Sequence, residues 1–319
     1  MKIAFVGKGG SGKTTIASLY IKHLQAQQKP VLAIDSDINQ HLGESIGFTK
    51  DEVNSIPPLG VQIDLLTQVF KGKNPRLQSV RSFKRTTPPG SGSVLVSYHE
   101  QHEVLKSFEI EKNGIRLLRV GLPQDESLGE QCYHANMSGA EIYLNHLVDS
   151  EDQNVVVDLT AGIDTLASGM FISYDVIYIV VEPTAKSLGV FNDYTRIAKS
   201  TGIETAIFAI ANQVTSEEEL EYIEKTIGQK PIAVFPLSSY IRKTERGEQV
   251  PFSEIDTGTK EALFALNKHV QTHTKNWDRF YKNLIYFHMK KANKEPHLKL
   301  EEQIDPEFSL SEYIKNGMR

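Results

Sequence analysis

Cysteine is nearly absent from these 319 residues: Cys132 stands alone. No disulfide can close within the chain. Long apolar runs are also missing. Even Val176-Ile177-Tyr178-Ile179-Val180-Val181, which no run exceeds, falls far short of the about 20 residues that cross a bilayer. There is no surplus of positive charge, since 35 Lys and Arg meet 40 Asp and Glu for a net charge of −5. The total therefore indicates neither nucleic acid nor a membrane surface as partner. No internal repeat is present. A secretory leader is not expected either, because the first strand-like run begins at Lys2, and a cytoplasmic location is the expectation. With 39% hydrophobic and 24% charged residues, the composition is that of an ordinary soluble protein. The length suits one large α/β domain or two small ones.

What is present begins at residue 3. Ile3-Ala4-Phe5-Val6 is a short apolar run. Gly7-Lys8-Gly9-Gly10-Ser11-Gly12-Lys13-Thr14-Thr15 follows and opens into Ile16-Ala17-Ser18-Leu19-Tyr20-Ile21. The order is strand, glycine loop, helix, and the loop fits G-x-x-x-x-G-K-[ST] in full. Glycines let backbone N–H groups surround a diphosphate, and the helix start adds its dipole and unpaired donors. Gly9, Gly10, Ser11, Gly12, Lys13, Thr14 and Thr15 are thus candidate phosphate ligands. Lys13 is expected on the β- and γ-phosphates and the Thr14 hydroxyl on Mg²⁺. A loop of this kind does not need a lysine at position 8, and Lys8 cannot easily reach phosphates held by its own loop.

Downstream, strands and helices alternate. A helix is expected from about Lys13 to Gln28, with strands at Val31–Ile34, Ile115–Gly121, Val155–Asp158, Val176–Val181, Ala206–Asn212 and Pro231–Phe235. Helices are expected through Ile142 and Leu144, over Lys186–Thr201 and over Glu217–Ile227. The pattern predicts an α/β fold: a mostly parallel, doubly wound sheet covered on both faces. Residues 49–114 interrupt it with Pro57-Pro58, Pro75 and Pro88-Pro89-Gly90-Ser91-Gly92. That stretch has no acid between Asp64 and Glu100, while Lys71, Lys73, Arg76, Arg81, Lys84 and Arg85 fall inside. It reads either as a basic, mobile segment for a partner or the nucleotide, or as a solvated insertion with helices of its own. From residue 276 a tail is expected, separate from a nucleotide domain over 1–275. Its Trp277, Phe280, Tyr281, Leu284 and Phe287 recur at helical spacing, as a face packed on the body or as a docking helix.

Acids end two of the expected strands. Asp35 and Asp37 follow Val31–Ile34, where a carboxylate can hold a Mg²⁺-bound water or orient the water attacking a γ-phosphate. Capping of the next helix is the other use of such a pair. Asp158, before Leu159-Thr160-Ala161-Gly162, sits where an acid contacts Mg²⁺ through water. Gly162 is expected to leave a backbone N–H free for the γ-phosphate, making 158–169 a switch. Asn212 ends another strand. A guanine-reading N-K-x-D would put an acid at 215, where Thr215 stands, so ATP is favoured over GTP. Pro236 and Leu237 are expected to flank the base.

Lys8-Gly9-Gly10-Ser11-Gly12-Lys13-Thr14-Thr15 resembles the deviant Walker A of the MinD/ParA/nitrogenase-iron-protein class. The resemblance implies an ATPase that closes as a homodimer around two ATP molecules, with Lys8 reaching its partner's nucleotide. It implies that Asp37, the second acid of D-x-D, acts on the attacking water, that Asp35 supports the metal, and that Asn212 reads the adenine edge. Asp35-Ser36-Asp37-Ile38-Asn39-Gln40-His41-Leu42, Asp158-Leu159-Thr160-Ala161-Gly162-Ile163-Asp164 and Val181-Glu182-Pro183-Thr184-Ala185-Lys186-Ser187-Leu188 resemble motifs of the CooC-type ATPases, which help load nickel into carbon monoxide dehydrogenase. That likeness spans about 1–247, is weak across 49–114 and is absent from the tail. It implies a metalloenzyme client, with a MinD/ParA-like positioning protein that binds a surface or cargo as the alternative. One departure bears on the metal. Where the CooC type has C-x-C, this chain has Cys132-Tyr133-His134. Two subunits would offer two Cys and two His, a set suited to tetrahedral Zn²⁺ and compatible with Ni²⁺. The other reading is a lone buried cysteine near a solvated histidine. With one cysteine per subunit, an iron–sulfur cluster held by two per subunit is excluded.

Overall fold

The computed structural model describes residues 1–98, 102–121, 133–162, 166, 169–203 and 206–317, with the backbone alone of 133–136. Its strands are β1 Lys2–Gly7, β2 Val31–Ser36, β3 Val96–Ser97, β4 Ile110–Lys112, β5 Ile115–Arg119, β6 Leu147–Val148, β7 Asn154–Leu159, β8 Val176–Val181, β9 Ile207–Val214 and β10 Ala233–Pro236. Its α-helices are α1 Lys13–Ala26, α2 Leu42–Ser45, α3 Lys50–Ser55, α4 Ile63–Lys71, α5 Glu103–Lys106 and α6 Tyr133–His146. They continue with α7 Ala185–Ser200, α8 Glu217–Ile227, α9 Ser239–Glu245, α10 Thr257–Val270, α11 Trp277–Lys294 and α12 Leu310–Lys315.

Eight strands form one sheet in the order β10-β9-β8-β1-β7-β2-β5-β4. Seven run parallel, as the alternating pattern predicts. The edge strand β4 is antiparallel to β5. Asn113 (φ 52°) and Gly114 (φ 79°) make the tight turn between them, the dipeptide favoured where both turn residues need positive φ. Strands β3 and β6 pair separately.

Side chains alternate along the central strands, so each face of the sheet carries its own core. Ala4, Val6, Leu32, Ile34, Val155 and Val157 face one core with α4, α6 and α7. Ile3, Phe5, Val31, Ala33 and Val156 face the other with α1 and α10. Helix starts are set by side-chain caps: Thr184 before α7, Ser216 before α8, Asp256 before α10 and Asn276 before α11 each accept from an N–H of the first turn.

The stretch 49–114 has helices of its own and is packed. Leu66, Phe70, Leu77 and Phe83 are buried in the first core. The tail packs as well: Leu284 is fully buried in that same core, with Phe280 and Phe287 against it. Among the described residues no helix is long and apolar enough to cross a membrane.

Candidate functional site

Sheet order makes the site. β1, β7 and β2 lie side by side, and the register sets Phe5 beside Asp158 and Asp158 beside Asp35. The glycine loop after β1 and the acids after β2 and β7 therefore share one crevice at the carboxyl ends of the strands, where open α/β sheets bind ligands. β8 and β9 add Glu182 and Asn212 along the same edge.

The loop cannot be built from other residues. A Cβ on Gly7 would overlap the Ser11 hydroxyl and the Val180 carbonyl. Gly12 has φ 88°, and a Cβ there would overlap the Asn212 amide. That amide donates to the Ser11 carbonyl at 2.8 Å, so Asn212, 4% exposed, braces the loop from β9.

Inside the crevice, Lys13 Nζ is paired with Asp37 Oδ2. Thr14 Oγ1 donates to Asp158 Oδ2 at 2.6 Å. Asp35 serves the loop itself: Oδ1 accepts from the Asp37 N–H at 3.3 Å and Oδ2 from the Leu42 N–H at 3.0 Å. The capping alternative for the acid pair thus describes one contact of Asp35, at the start of α2.

Three buried carboxylates face one buried ammonium here, which leaves the crevice short of positive charge. Burial, with Asp158 adding, pushes Asp35 up to about 8. Burial likewise pushes Asp158 up to about 7 against the pull of Lys13 and Thr14. Asp158 Oδ1 is buried without a hydrogen-bond partner. An orphaned carboxylate oxygen, a neighbouring threonine hydroxyl and a deficit of cations fit Mg²⁺, a hard ion held by few protein oxygens.

One expectation is corrected. The Gly162 N–H is not free but donates to the Gly7 carbonyl at 3.1 Å. Gly162 turns the chain at φ 88° directly beside β1, and an N–H facing that strand is paired with it. Lys8 lies on the rim, 36% exposed by side chain, with Nζ 3.6 Å from Glu182 Oε2 of its own chain. Leu237, beyond half-buried Pro236, is 44% exposed. Cys132 lies outside the described residues, as does the His134 side chain, although His134 belongs to α6. Two contacts have no signal in the sequence. Glu245 Oε1 accepts from Thr15 Oγ1 at 3.0 Å, and nothing in the run around Glu245 advertises it. Glu182 stands in a motif that gives no sign of its partner Lys8.

The model of the CobQ/CobB/MinD/ParA nucleotide binding domain matches residues 3–252. The chain belongs to this family. It is similar to the carbon monoxide dehydrogenase accessory protein CooC of Rhodospirillum rubrum, 26% identical over 223 residues that cover 70% of this chain and 78% of that protein. It is also similar to an uncharacterized ATP-binding protein of Methanocaldococcus jannaschii, 26% identical over 77% of this chain and 88% of that one. Among solved structures, the ParA family ATPase from Chlorobium tepidum shares the fold with a TM-score of 0.52 at 16% identity, covering 83% of this chain and 99% of that one. The ATP complex of a Cyanothece McdA variant does so with 0.53 at 16%, covering 86% and 98%. The MinD/ParA-class fold and its nucleotide-binding loop are thus both present. The tail beyond residue 276 lies outside the family match.

Proposed function

We propose that this member of the MinD/ParA class hydrolyses ATP with Mg²⁺, and that the ATP-bound form is a homodimer serving metal delivery to a client metalloenzyme. The observation that carries the first part is the meeting of Lys13, Thr14, Asp37 and Asp158 beside the orphaned Asp158 oxygen.

Phosphoryl transfer asks a protein for positioning and charge stabilisation. The loop amides of Gly9 to Thr15 hold the phosphates. Lys13, now on Asp37, turns to the β- and γ-phosphates, which frees the Asp37 carboxylate to orient a water. Thr14 and Asp158, with Asp35 behind them, would hold Mg²⁺, which would neutralise charge on the phosphate oxygens. With its nitrogen on Ser11, Asn212 offers its carbonyl oxygen to the exocyclic amine of adenine, and Pro236 and Leu237 flank the ring. Lys8 leaves Glu182 to complete the site of a second copy.

The metal-delivery part rests on the likeness to CooC and on Cys132 and His134, whose paired copies would bind Zn²⁺ or Ni²⁺ as cargo. A second reading is favoured by the names of the structural neighbours, which include a ParA family ATPase and a MinC:MinD cell division complex. In it the ATP form would occupy a cellular surface or cargo. The experiment is metal content of the dimer formed with a non-hydrolysable ATP analogue, for the native chain and for Cys132→Ser/His134→Ala. About one ion per dimer, lost in the double variant, is expected. No bound metal, with ATP-dependent cosedimentation on DNA or liposomes, would replace metal delivery by the second reading.

A further inference from the structure

The tail touches the segment that follows Asp158. Gly169, at φ 86°, lies at the far end of that segment. A Cβ placed on Gly169 would sit 3.3 Å from the Phe287 ring of α11. Two residues on, Phe171 meets the same ring edge to face, centroids 5.6 Å apart. Leu284, one turn earlier on α11, is buried in the core that also holds Leu166 and Met170. One face of α11 therefore rests on Gly169 and Phe171.

The same helix and the chain after it are bolted to the insertion. His288 is fully buried; Nε2 donates to the Leu300 carbonyl at 2.9 Å and Nδ1 accepts from the Thr86 hydroxyl at 3.1 Å. Burial lowers its pKa, in keeping with a neutral ring. Thr87 Oγ1 donates to Gln303 Oε1 at 2.9 Å, and Gln303 Nε2 donates to the Ser82 carbonyl at 2.7 Å. Tyr281 donates to the Pro89 carbonyl at 2.9 Å, and Asp305 accepts from the Ser91 N–H at 3.1 Å. Most of these bonds are buried, so separating the two surfaces would strand polar groups away from water. A shift of α11 is more cheaply passed to residues 82–91 than absorbed at this joint.

The geometry points to α11 as a relay: Phe287 is a positioning residue for the segment after Asp158, and the tail transmits the state of that segment to residues 82–91 of the insertion. The inference rests on the nucleotide reading of the site. Its helix lies beyond residue 252, where the family match ends. Packed elements of this kind switch between discrete arrangements rather than deforming continuously.

The test is hydrogen–deuterium exchange on the full chain with and without Mg²⁺ and a non-hydrolysable ATP analogue. In the native protein, exchange should change at 7–15, at 281–303 and at 82–91. In Phe287→Ala the change should remain at 7–15 and vanish from the two distant segments, with analogue affinity within about twofold. In ATPase assays the same variant should lower kcat about threefold to tenfold at unchanged KM. Phe287→Leu keeps an apolar contact and should restore part of the coupling. Thr87→Val, which removes the hydroxyl donated to Gln303, should leave the response at 281–303 and weaken it at 82–91. Protection at 7–15 with no response at 82–91 and 281–303 in the native chain would overturn the relay alone. Absence of protection at 7–15 would overturn the nucleotide reading and the relay with it.

Discussion

Asp158→Asn should make the nucleotide-free protein more stable while disabling it. The Asp158 carboxylate is fully buried, and its pKa rises from the ordinary 3.8 to about 7. The native state thus binds this proton more tightly than the unfolded chain does. The resulting stability is fully present below about pH 4 and is lost as pH rises through about 7. At neutral pH the loss is about 4 kcal/mol, and at pH 5 about half of that. The introduced amide ends this penalty and can still accept from Thr14. Its NH₂ group takes the place of the orphaned Oδ1, an unpaired buried donor that costs about 1–3 kcal/mol. The net gain at pH 7.5 is about 1–3 kcal/mol, or about 1–5 °C in Tm, shrinking toward zero at pH 5. Thermal unfolding followed by circular dichroism in EDTA, at both pH values, measures it. In the presence of Mg²⁺ and ATP the order should invert, since the native chain gains ligand stabilisation that the variant lacks. A variant less stable than the native chain at pH 7.5, or one stabilised by Mg²⁺-ATP to the same degree, would refute the reasoning.

Three other substitutions divide the site. Lys8→Ala should bind nucleotide normally, because its close acid among the described residues is Glu182 on the rim, and should lose the ATP-dependent dimer; light scattering decides. Asp37→Ala strands a buried Lys13, so the nucleotide-free protein should lose about 3 kcal/mol in denaturant unfolding. With ATP the phosphates replace the lost partner, turnover stops, and the dimer persists; a normal hydrolysis rate would remove Asp37 from its role. Asn212→Leu deprives the Ser11 carbonyl of its donor and should weaken ATP binding at least tenfold in a fluorescent-nucleotide titration; unchanged affinity would show that the loop does not depend on this brace.

The crevice was legible because its parts depend on short-range rules. Glycine spacing defines the loop, apolar runs ending in Asp35 and Asp158 define strand ends, and a parallel sheet puts such ends together. Pairing was not legible. Nothing along the chain shows that Lys13 rests on Asp37, that Asp35 turns inward to staple its own loop, or that the Gly162 N–H is taken by Gly7. Each depends on which strand lies next to which, and at what register. The edge strand β4 escapes for another reason: three residues with mixed polarity, Ile110-Glu111-Lys112, give no alternation to detect.

Part of the insertion's charge run is used within the chain. Between Asp64 and Glu100 the sequence offers six cations and no acid, which suggests an open surface awaiting something acidic. Two of the six meet acids from elsewhere in the chain. Arg85 meets Glu141 of α6 with Nε 3.5 Å from the carboxylate, and Arg76 meets Asp305 of the tail at 3.7 Å. Glu141 is fully buried, and burial pushes its pKa up to about 7 even with Arg85 beside it. The guanidinium therefore compensates a charge the core would otherwise reject. Proline and glycine break the local periodicity of 72–93, and residues about 200 positions later help to shape that stretch beside its own turns. Insertion and tail each look unfinished alone. Their buried bonds, Thr86 to His288 and Thr87 to Gln303, make them two halves of one layer. Removing the tail should therefore expose the insertion's polar face, whatever its effect on the nucleotide site.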